Sequence, residues 1–196
     1  MKLLLAGEGA NELGGWHHEE PYRTDEPGVI EALLKKVHPH GWAIVHAVKW
    51  HWIHKYCVGM HGAAEKRNIE YVHHKAKKLG LDAVVFVRDR DGKKNHKRQR
   101  DIEYTIESCE QTGGPAIIGG MAIEKLEAWI LALCGEHNSE SMNKPENRLA
   151  DREDCPKNTA EMVEVVEGAD LDRIPSDARS LRAWLDRARS VLGPQS

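Results

Sequence analysis

Asp89 and Asp91 are separated by one residue and follow directly after an apolar run, Ala83–Val87. In extended backbone, side chains two positions apart point to the same side, so the two carboxylates can share one hard cation. Mg²⁺ prefers such oxygen ligands and keeps waters that a phosphate can displace. Asp-x-Asp-Gly is also typical of an ordinary turn, because Asp and Gly are favoured turn residues. The pattern therefore predicts either a metal site or a turn.

A dense basic run surrounds and follows these aspartates. Between residues 88 and 100 the chain carries seven Arg or Lys against two Asp, a local excess of five positive charges. Such a run attracts phosphate groups. We expect its later members to hold nucleic-acid phosphates without reading bases, namely Lys93, Lys94, Lys97, Arg98 and Arg100.

Further carboxylates follow other apolar stretches. Glu8 and Glu12 come after the run 2–7, and Glu8 would lie at the carboxyl end of that strand; alternatively, Glu8 caps the next helix. Glu127 lies at the edge of an apolar helical stripe, where a carboxylate is costly unless it is paired or binds a metal. The alternative for Glu127, and for Glu124 before it, is a favourable interaction with the positive end of the helix dipole.

The elements that would position these side chains alternate along the chain. Apolar, β-rich runs predict strands over 2–7, 42–50, 83–87 and 116–123, and 3.6-residue periodicity predicts helices over 29–37, 63–79, 102–109 and 124–135. This order predicts an α/β fold with a mostly parallel sheet and helices on both faces. The carboxyl ends of parallel strands form one edge, where ligands gather. The loop 14–27 is expected to lie over that edge as a lid.

The chain divides by charge into two parts. Residues 1–135 form the expected α/β unit, and residues 136–196 an acidic, partly irregular tail that ends in a docking helix over 176–192, with Ser176 as its N-cap. Between residues 135 and 179 there are twelve acidic against six basic residues. The net charge of −3 excludes a protein that is basic overall, so any nucleic-acid surface must be local.

Cysteine and histidine usage adds two expectations. The four cysteines include no Cys-x-x-Cys pair, and the apolar start is too short for a signal peptide, so we expect a cytoplasmic protein without a membrane span. A zinc site is suggested by His46, His51, His54, Cys57 and His61. Because three aromatic residues interrupt this set (Trp50, Trp52 and Tyr56), a packed aromatic surface or a loop is favoured over zinc.

Three motifs in order resemble the Toprim fold: Glu8-Gly9-x-x-Glu12, Asp89-x-Asp91-Gly92, and the stretch 122–132 with Glu127. The similarity is closest to small stand-alone Toprim-like proteins and to the nuclease domain of overcoming-lysogenization-defect proteins, and it covers about residues 1 to 135. The resemblance implies hydrolysis of phosphodiester bonds with Mg²⁺ or Mn²⁺, with Glu8, Glu12, Asp89 and Asp91 as catalytic metal ligands. It implies a further metal contact or a structural part for Glu127.

The expected function is therefore a metal-dependent nuclease acting on nucleic acid, with DNA favoured over RNA. A second hypothesis is a non-catalytic Toprim-like subunit whose acidic tail and exposed tryptophans bind another protein, such as an ATPase in a defence or repair system. A third is a nucleotide-sugar transferase that uses Asp-x-Asp with Mn²⁺. It leaves Glu8 and Glu12 without a part and the basic run unexplained.

Overall fold

The structure is a computed structural model, and it describes residues 1–16, 22, 25–57, 62–90, 96–151, 156 and 158–193. Several residues with predicted roles lie outside the described ranges, so those roles stay predictions: Asp91, Lys93, Lys94 and His61. The same holds for half of the predicted lid over 14–27.

Four strands form one sheet: β1 (Lys2–Gly7), β2 (Ala43–Lys49), β3 (Ala83–Asp89) and β4 (Ala116–Ala122). Their order is β2-β1-β3-β4, and all three neighbouring pairs are parallel. β1 and β3 lie side by side in the centre, with Leu5 opposite Val85. The predicted parallel α/β sheet is thus confirmed, and the strand ends that carry the candidate residues are neighbours.

Eight α-helices connect and cover the strands. They are α1 (Ala10–Leu13), α2 (Val29–Val37), α3 (Ala64–Lys78), α4 (His96–Gln111), α5 (Leu126–Leu133), α6 (Pro145–Asp151), α7 (Thr159–Gly168) and α8 (Arg179–Leu192) in the described residues. A 3-10 helix, Trp50–Lys55, follows β2 directly.

Alternate side chains of the central strands serve two different cores. Leu3 and Leu5 pack with side chains of α1, α2, α5, α7 and α8 on one face of the sheet. Leu4 and Ala6 pack on the other face with the 3-10 helix, α3 and α4. Because successive strand residues point to opposite faces, a strand with a core on both sides must be apolar throughout. This explains the uninterrupted run of Ala83–Val87, and it confirms helices on both faces.

The tail contains more helix than the sequence suggested. Where an irregular stretch was expected, α6 and α7 form, and α7 packs in the same core as α2. The last helix begins at Arg179 with Ala178 as N-cap, so the prediction that Ser176 caps it was wrong. Its predicted apolar stripe is confirmed, because all five members are buried: Leu181, Trp184, Leu185, Ala188 and Leu192.

Four tryptophans are buried, whereas the partner hypothesis expected exposed tryptophans. Trp16, Trp50, Trp129 and Trp184 are each at most 7% exposed. The rings of Trp129 and Trp184 lie 6.0 Å apart, between α5 and α8. Four of the six tryptophans are thus core residues, and the expectation of exposed tryptophans was wrong for them.

Cys57 and Cys109 are free thiols, and both are buried. Among the described residues, no helix combines the length and the apolar character that crossing a membrane requires.

Gly28, at the N-cap of α2, lies against the backbone of α1. A Cβ at this position would stand 2.3 Å from the Glu12 carbonyl oxygen and 2.6 Å from the Gly14 nitrogen. We expect Gly28→Ala to lower the free energy of unfolding by roughly 1–3 kcal/mol, because backbone cannot move aside as a flexible side chain can. Gly168→Ala is the control, since nothing lies within 4 Å of a Cβ there. Urea denaturation of both variants measures the difference, and equal stabilities would contradict the close approach.

Candidate functional site

Four carboxylates lie at the carboxyl edge of the two central strands. Asp89 is the last residue of β3, Glu8 follows the end of β1, Glu12 lies in α1, and Glu127 lies in the first turn of α5. The backbone N–H of Asp89 donates to Glu8 Oε1 at 3.4 Å, which joins the two strand ends. The structure therefore places every described residue that was predicted to bind metal at one edge of the sheet; we call these four residues the carboxylate cluster.

Asp89 is the centre of the carboxylate cluster. Its Oδ1 accepts a hydrogen bond of 2.9 Å from the backbone N–H of Leu126, at the start of α5. Burial, which has the largest effect, and the negative charges of Glu12, Glu8 and Glu127 together raise the pKa of Asp89 to about 8, although the hydrogen bond from Leu126 opposes them. An aspartate in this position holds its proton near neutral pH unless a cation compensates the charge.

Glu12 caps α1 and also contributes negative charge to the carboxylate cluster. The residue is 7% exposed, and its Oε2 accepts a 2.9 Å hydrogen bond from the backbone N–H of Gly9. Capping of this helix therefore comes from Glu12, whereas the sequence had offered Glu8 for that task. Burial raises the pKa of Glu12, the hydrogen bond from Gly9 opposes that effect, and the charges of Glu8 and Glu127 add to it.

Asn11 positions Glu127 and was missed by sequence reasoning. Its Nδ2 donates a long hydrogen bond of 3.5 Å to Glu127 Oε1. The hydroxyl of Thr159, in α7, donates to Asn11 Oδ1 at 2.9 Å. A residue of the tail thereby contacts the site. The one available signal for Asn11 was its place between the two glutamates of Glu8-Gly9-x-x-Glu12.

Arg88 is a second residue that the motifs did not single out. It is 6% exposed, and its Nε and Nη2 donate to the two oxygens of Glu65 in α3, each at 3.1 Å. Its Nη1 pairs with Glu8 Oε1. The guanidinium therefore orients one member of the carboxylate cluster and compensates part of its charge.

The described members of the basic run differ in their surroundings. Lys97 and Arg100 are exposed near the start of α4, where they can meet phosphates. Arg98 points inward: its Nε lies 3.2 Å from Glu65 Oε1, and its Nη1 donates to the Asp89 carbonyl at 2.9 Å. Arg98 thus supports the strand end that carries Asp89.

Glu124 lies outside α5, although the sequence predicted it inside that helix. Its φ of 68° is left-handed, and α5 begins two residues later, at Leu126. Its side chain is 7% exposed and pairs with Arg90, and the prediction that places Glu124 within the helix 124–135 was wrong. The pair lines a cavity of about 570 Å³ that also contacts His96, Glu140 and Arg179.

The chemistry of the cluster fits a hard divalent cation. All four of its side chains offer carboxylate oxygens, the ligands that Mg²⁺ and Mn²⁺ prefer. As placed, no three Asp, Glu, His or Cys side chains of the described residues come close enough to share one ion. The predicted ligand Asp91 is outside that part of the chain.

No protein-family model, curated protein or solved structure matches this chain. The likeness to Toprim proteins therefore stays a prediction, and a function must be argued from the site.

Proposed function

We propose that this protein is a Toprim-type, divalent-metal-dependent nuclease that hydrolyses phosphodiester bonds in nucleic acid, with DNA favoured over RNA. The observation that carries the proposal is the convergence of Glu8, Glu12, Asp89 and Glu127 at one edge of the sheet, where their mutual repulsion helps raise the pKa of Asp89. A protein gains little by gathering carboxylates in partial burial unless a cation joins them.

The residues fall into two proposed ligand groups. Glu8, Asp89 and Asp91 would hold one Mg²⁺ or Mn²⁺, and Glu12 with Glu127 a second. When bound, such ions polarise a phosphate and activate a water for attack on phosphorus. Asp89 would release its proton as the cation binds, because a pKa of about 8 leaves its carboxyl largely protonated at neutral pH beforehand.

Other residues of the chain would prepare the site without binding the ion. Arg88 holds the Glu8 carboxylate in place, and Asn11 holds that of Glu127. Lys97 and Arg100 are exposed cations beside the end of β3, and they would contact flanking phosphates. Such contacts fix the register of the strand and carry no base specificity.

The direct experiment is cleavage of labelled single-stranded and duplex DNA and RNA by the purified protein with Mg²⁺, Mn²⁺ or EDTA. We expect cleavage that depends on the metal and falls by at least about 100-fold in Asp89→Ala and in Glu8→Ala, because each removes a ligand of the reacting centre. Glu164→Ala, which removes an exposed carboxylate of α7, is the control. Cutting in EDTA, or unchanged rates in both site variants, would refute the proposal.

A second candidate is a non-catalytic partner subunit of an ATPase. The observation that favours it is that the described carboxylates do not form a ready-made ion site, while Arg88 already pairs with Glu8. This candidate expects weak metal binding and no cleavage by the isolated chain under any of the conditions above. Cleavage by the wild type alone would exclude it.

We also propose that the protein acts in the cytoplasm. The free thiols of Cys57 and Cys109 support a reducing compartment, because disulfides are rare there.

A further inference from the structure

A surface of aromatic rings and lysines surrounds the 3-10 helix that follows β2. The Nζ atoms of Lys49 and Lys55 lie 5.4 Å and 5.6 Å from the centroid of the Trp52 ring. Tyr56 is 49% exposed and stacks on Tyr71 of α3, with centroids 5.5 Å apart and an interplanar angle of 11°. We call these five residues the aromatic surface. None of these five residues belongs to the carboxylate cluster.

The 3-10 helix that carries Trp52 and Lys55 begins at the same edge of the sheet as the carboxylate cluster. The 3-10 helix begins where β2 ends, and β2 is the sheet neighbour of β1, whose end precedes Glu8. Trp50, the first residue of the 3-10 helix, has its ring 4.9 Å from the Arg88 guanidinium carbon, and Arg88 pairs with Glu8. The buried Arg88 therefore lies between Trp50, the first residue of the 3-10 helix, and Glu8 of the carboxylate cluster.

The charge of this segment suits a polyanion. Residues 49–57 contain two lysines and two histidines and no Asp or Glu. His51, His54 and Lys55 are exposed. Of the rings, Tyr56 is exposed, and Trp52 and Tyr71 are partly exposed. Cations beside accessible rings are the combination that binds a single strand, because the cations hold phosphates while each base stacks on a ring. A duplex offers no free base faces to such rings, since its bases stack on one another.

We propose that the aromatic surface binds single-stranded nucleic acid, with bases stacked on Trp52 and on the Tyr56–Tyr71 pair and phosphates held by Lys49 and Lys55. The strand then continues toward Glu8 and Asp89. This last step rests on the proposed nuclease function, whereas the binding step does not. The substrate of the carboxylate cluster is thereby narrowed to single strands or single-stranded regions.

The test measures binding in the absence of cleavage. The full-length Asp89→Asn protein in EDTA is titrated, by fluorescence anisotropy, into three labelled probes of roughly 12 nucleotides: oligothymidine, the same backbone without bases, and a duplex. We expect oligothymidine to bind at least about 10-fold more tightly than either of the other two probes, because stacking contributes only where bases are free.

Matched variants locate the binding. Trp52→Ala and Tyr56→Ala should each weaken oligothymidine binding by about 5- to 100-fold and leave the baseless probe unchanged, whereas Trp52→Phe, which keeps a ring, should bind nearly as well as the parent. Tyr104→Ala is the control, because Tyr104 is an aromatic residue of α4 that is 65% exposed. Thermal melts of all variants show that each is folded, and Trp52→Phe keeps the test valid if Trp52→Ala does not fold.

Three results would overturn the inference: equal affinity for oligothymidine and the baseless probe, a preference for the duplex, or equal loss in Trp52→Ala and Tyr104→Ala. Absence of any nucleic-acid binding would also overturn the inference, and a protein would then be the expected partner of the aromatic surface. The two proposals can fail separately. If the wild type cleaves nothing but Trp52→Ala weakens the binding of single strands, only the nuclease proposal is refuted. If the wild type cleaves nucleic acid and Trp52→Ala binds single strands as tightly as the parent, only the proposal for the aromatic surface is refuted.

Discussion

Asp89→Asn should make the protein more stable at pH 8 in EDTA while removing its response to divalent metal. Asparagine keeps an oxygen that can accept the 2.9 Å hydrogen bond from Leu126 N–H, and it removes the charge that burial and the neighbouring glutamates oppose. The folded-state pKa of Asp89 is about 8, against about 4 in an unfolded chain. We expect a gain on the order of a few kcal/mol in the free energy of unfolding.

The sign of the pH dependence follows from where the proton resides. Below about pH 4 Asp89 is protonated in both the folded and the unfolded state, and its favourable contribution to stability is complete. Between about pH 4 and about pH 8 the folded state keeps a proton that the unfolded state has lost, so stability falls as pH rises. The advantage of Asp89→Asn should therefore grow across this window and vanish below it.

Urea denaturation between pH 4 and 9, with and without Mg²⁺ or Mn²⁺, checks the prediction. A metal at 100 times its Kd should stabilise the wild type by about 2.7 kcal/mol and Asp89→Asn far less. Asp186→Asn is the control, because the Asp186 side chain is 72% exposed and its loss should change stability by less than about 1 kcal/mol. An asparagine variant that is less stable than the wild type at pH 8 in EDTA would contradict the electrostatic account of the cluster.

Arg88→Ala should destabilise the fold by roughly 3–5 kcal/mol, the usual cost of breaking a buried ion pair. Glu65 is 8% exposed, and the substitution would remove its ion pair with Arg88. Of its described ion pairs, the 3.2 Å contact with Arg98 Nε would remain. Glu8 would lose its guanidinium partner, and the Trp50 ring would lose the cation 4.9 Å from its centroid. Since small domains are stable by about 5–15 kcal/mol, such a loss is a large fraction of the total.

The matched control is Arg173→Ala. Arg173 also pairs with a carboxylate, that of Asp170 at 3.3 Å, but its side chain is 87% exposed, so its loss should cost less than about 1 kcal/mol. The stability of Arg88→Lys should lie between those of Arg88→Ala and Arg173→Ala, because lysine keeps the charge but not the two parallel hydrogen bonds to Glu65. Urea unfolding at pH 7 compares them, and an Arg88→Ala as stable as Arg173→Ala would show that the pair contributes nothing.

Most of the fold could be read from local patterns. The runs 2–7 and 83–87 are apolar without interruption because both faces of the central strands are covered, and the stripe on α8 has the 3.6-residue spacing of a helix with one buried face. The gathering of Glu8 and Asp89 followed from the same patterns, because the carboxyl ends of parallel neighbours form one edge. These features depend on residues close together in the chain.

Other features of the site have no local signature. Arg88 and Glu65 are 23 residues apart, and Asn11 and Glu127 are 116 apart. Arg98 lies in a run that looks exposed from end to end, yet it turns inward to Glu65 and the end of β3. Glu124 lies before α5, where it has a left-handed backbone and pairs with Arg90, 34 residues away in the chain.

The amino-acid order thus specified the sheet, the helices and the edge on which the carboxylates meet, because hydrophobic periodicity and strand direction are properties of short segments. The tertiary structure decided which charges are compensated. It pairs Arg88 with Glu8 and Glu65, and it leaves Asp89 with a pKa near 8. The physical reason is that burial and Coulomb interactions depend on distances between helices packed across a sheet, which no repeat along the chain encodes.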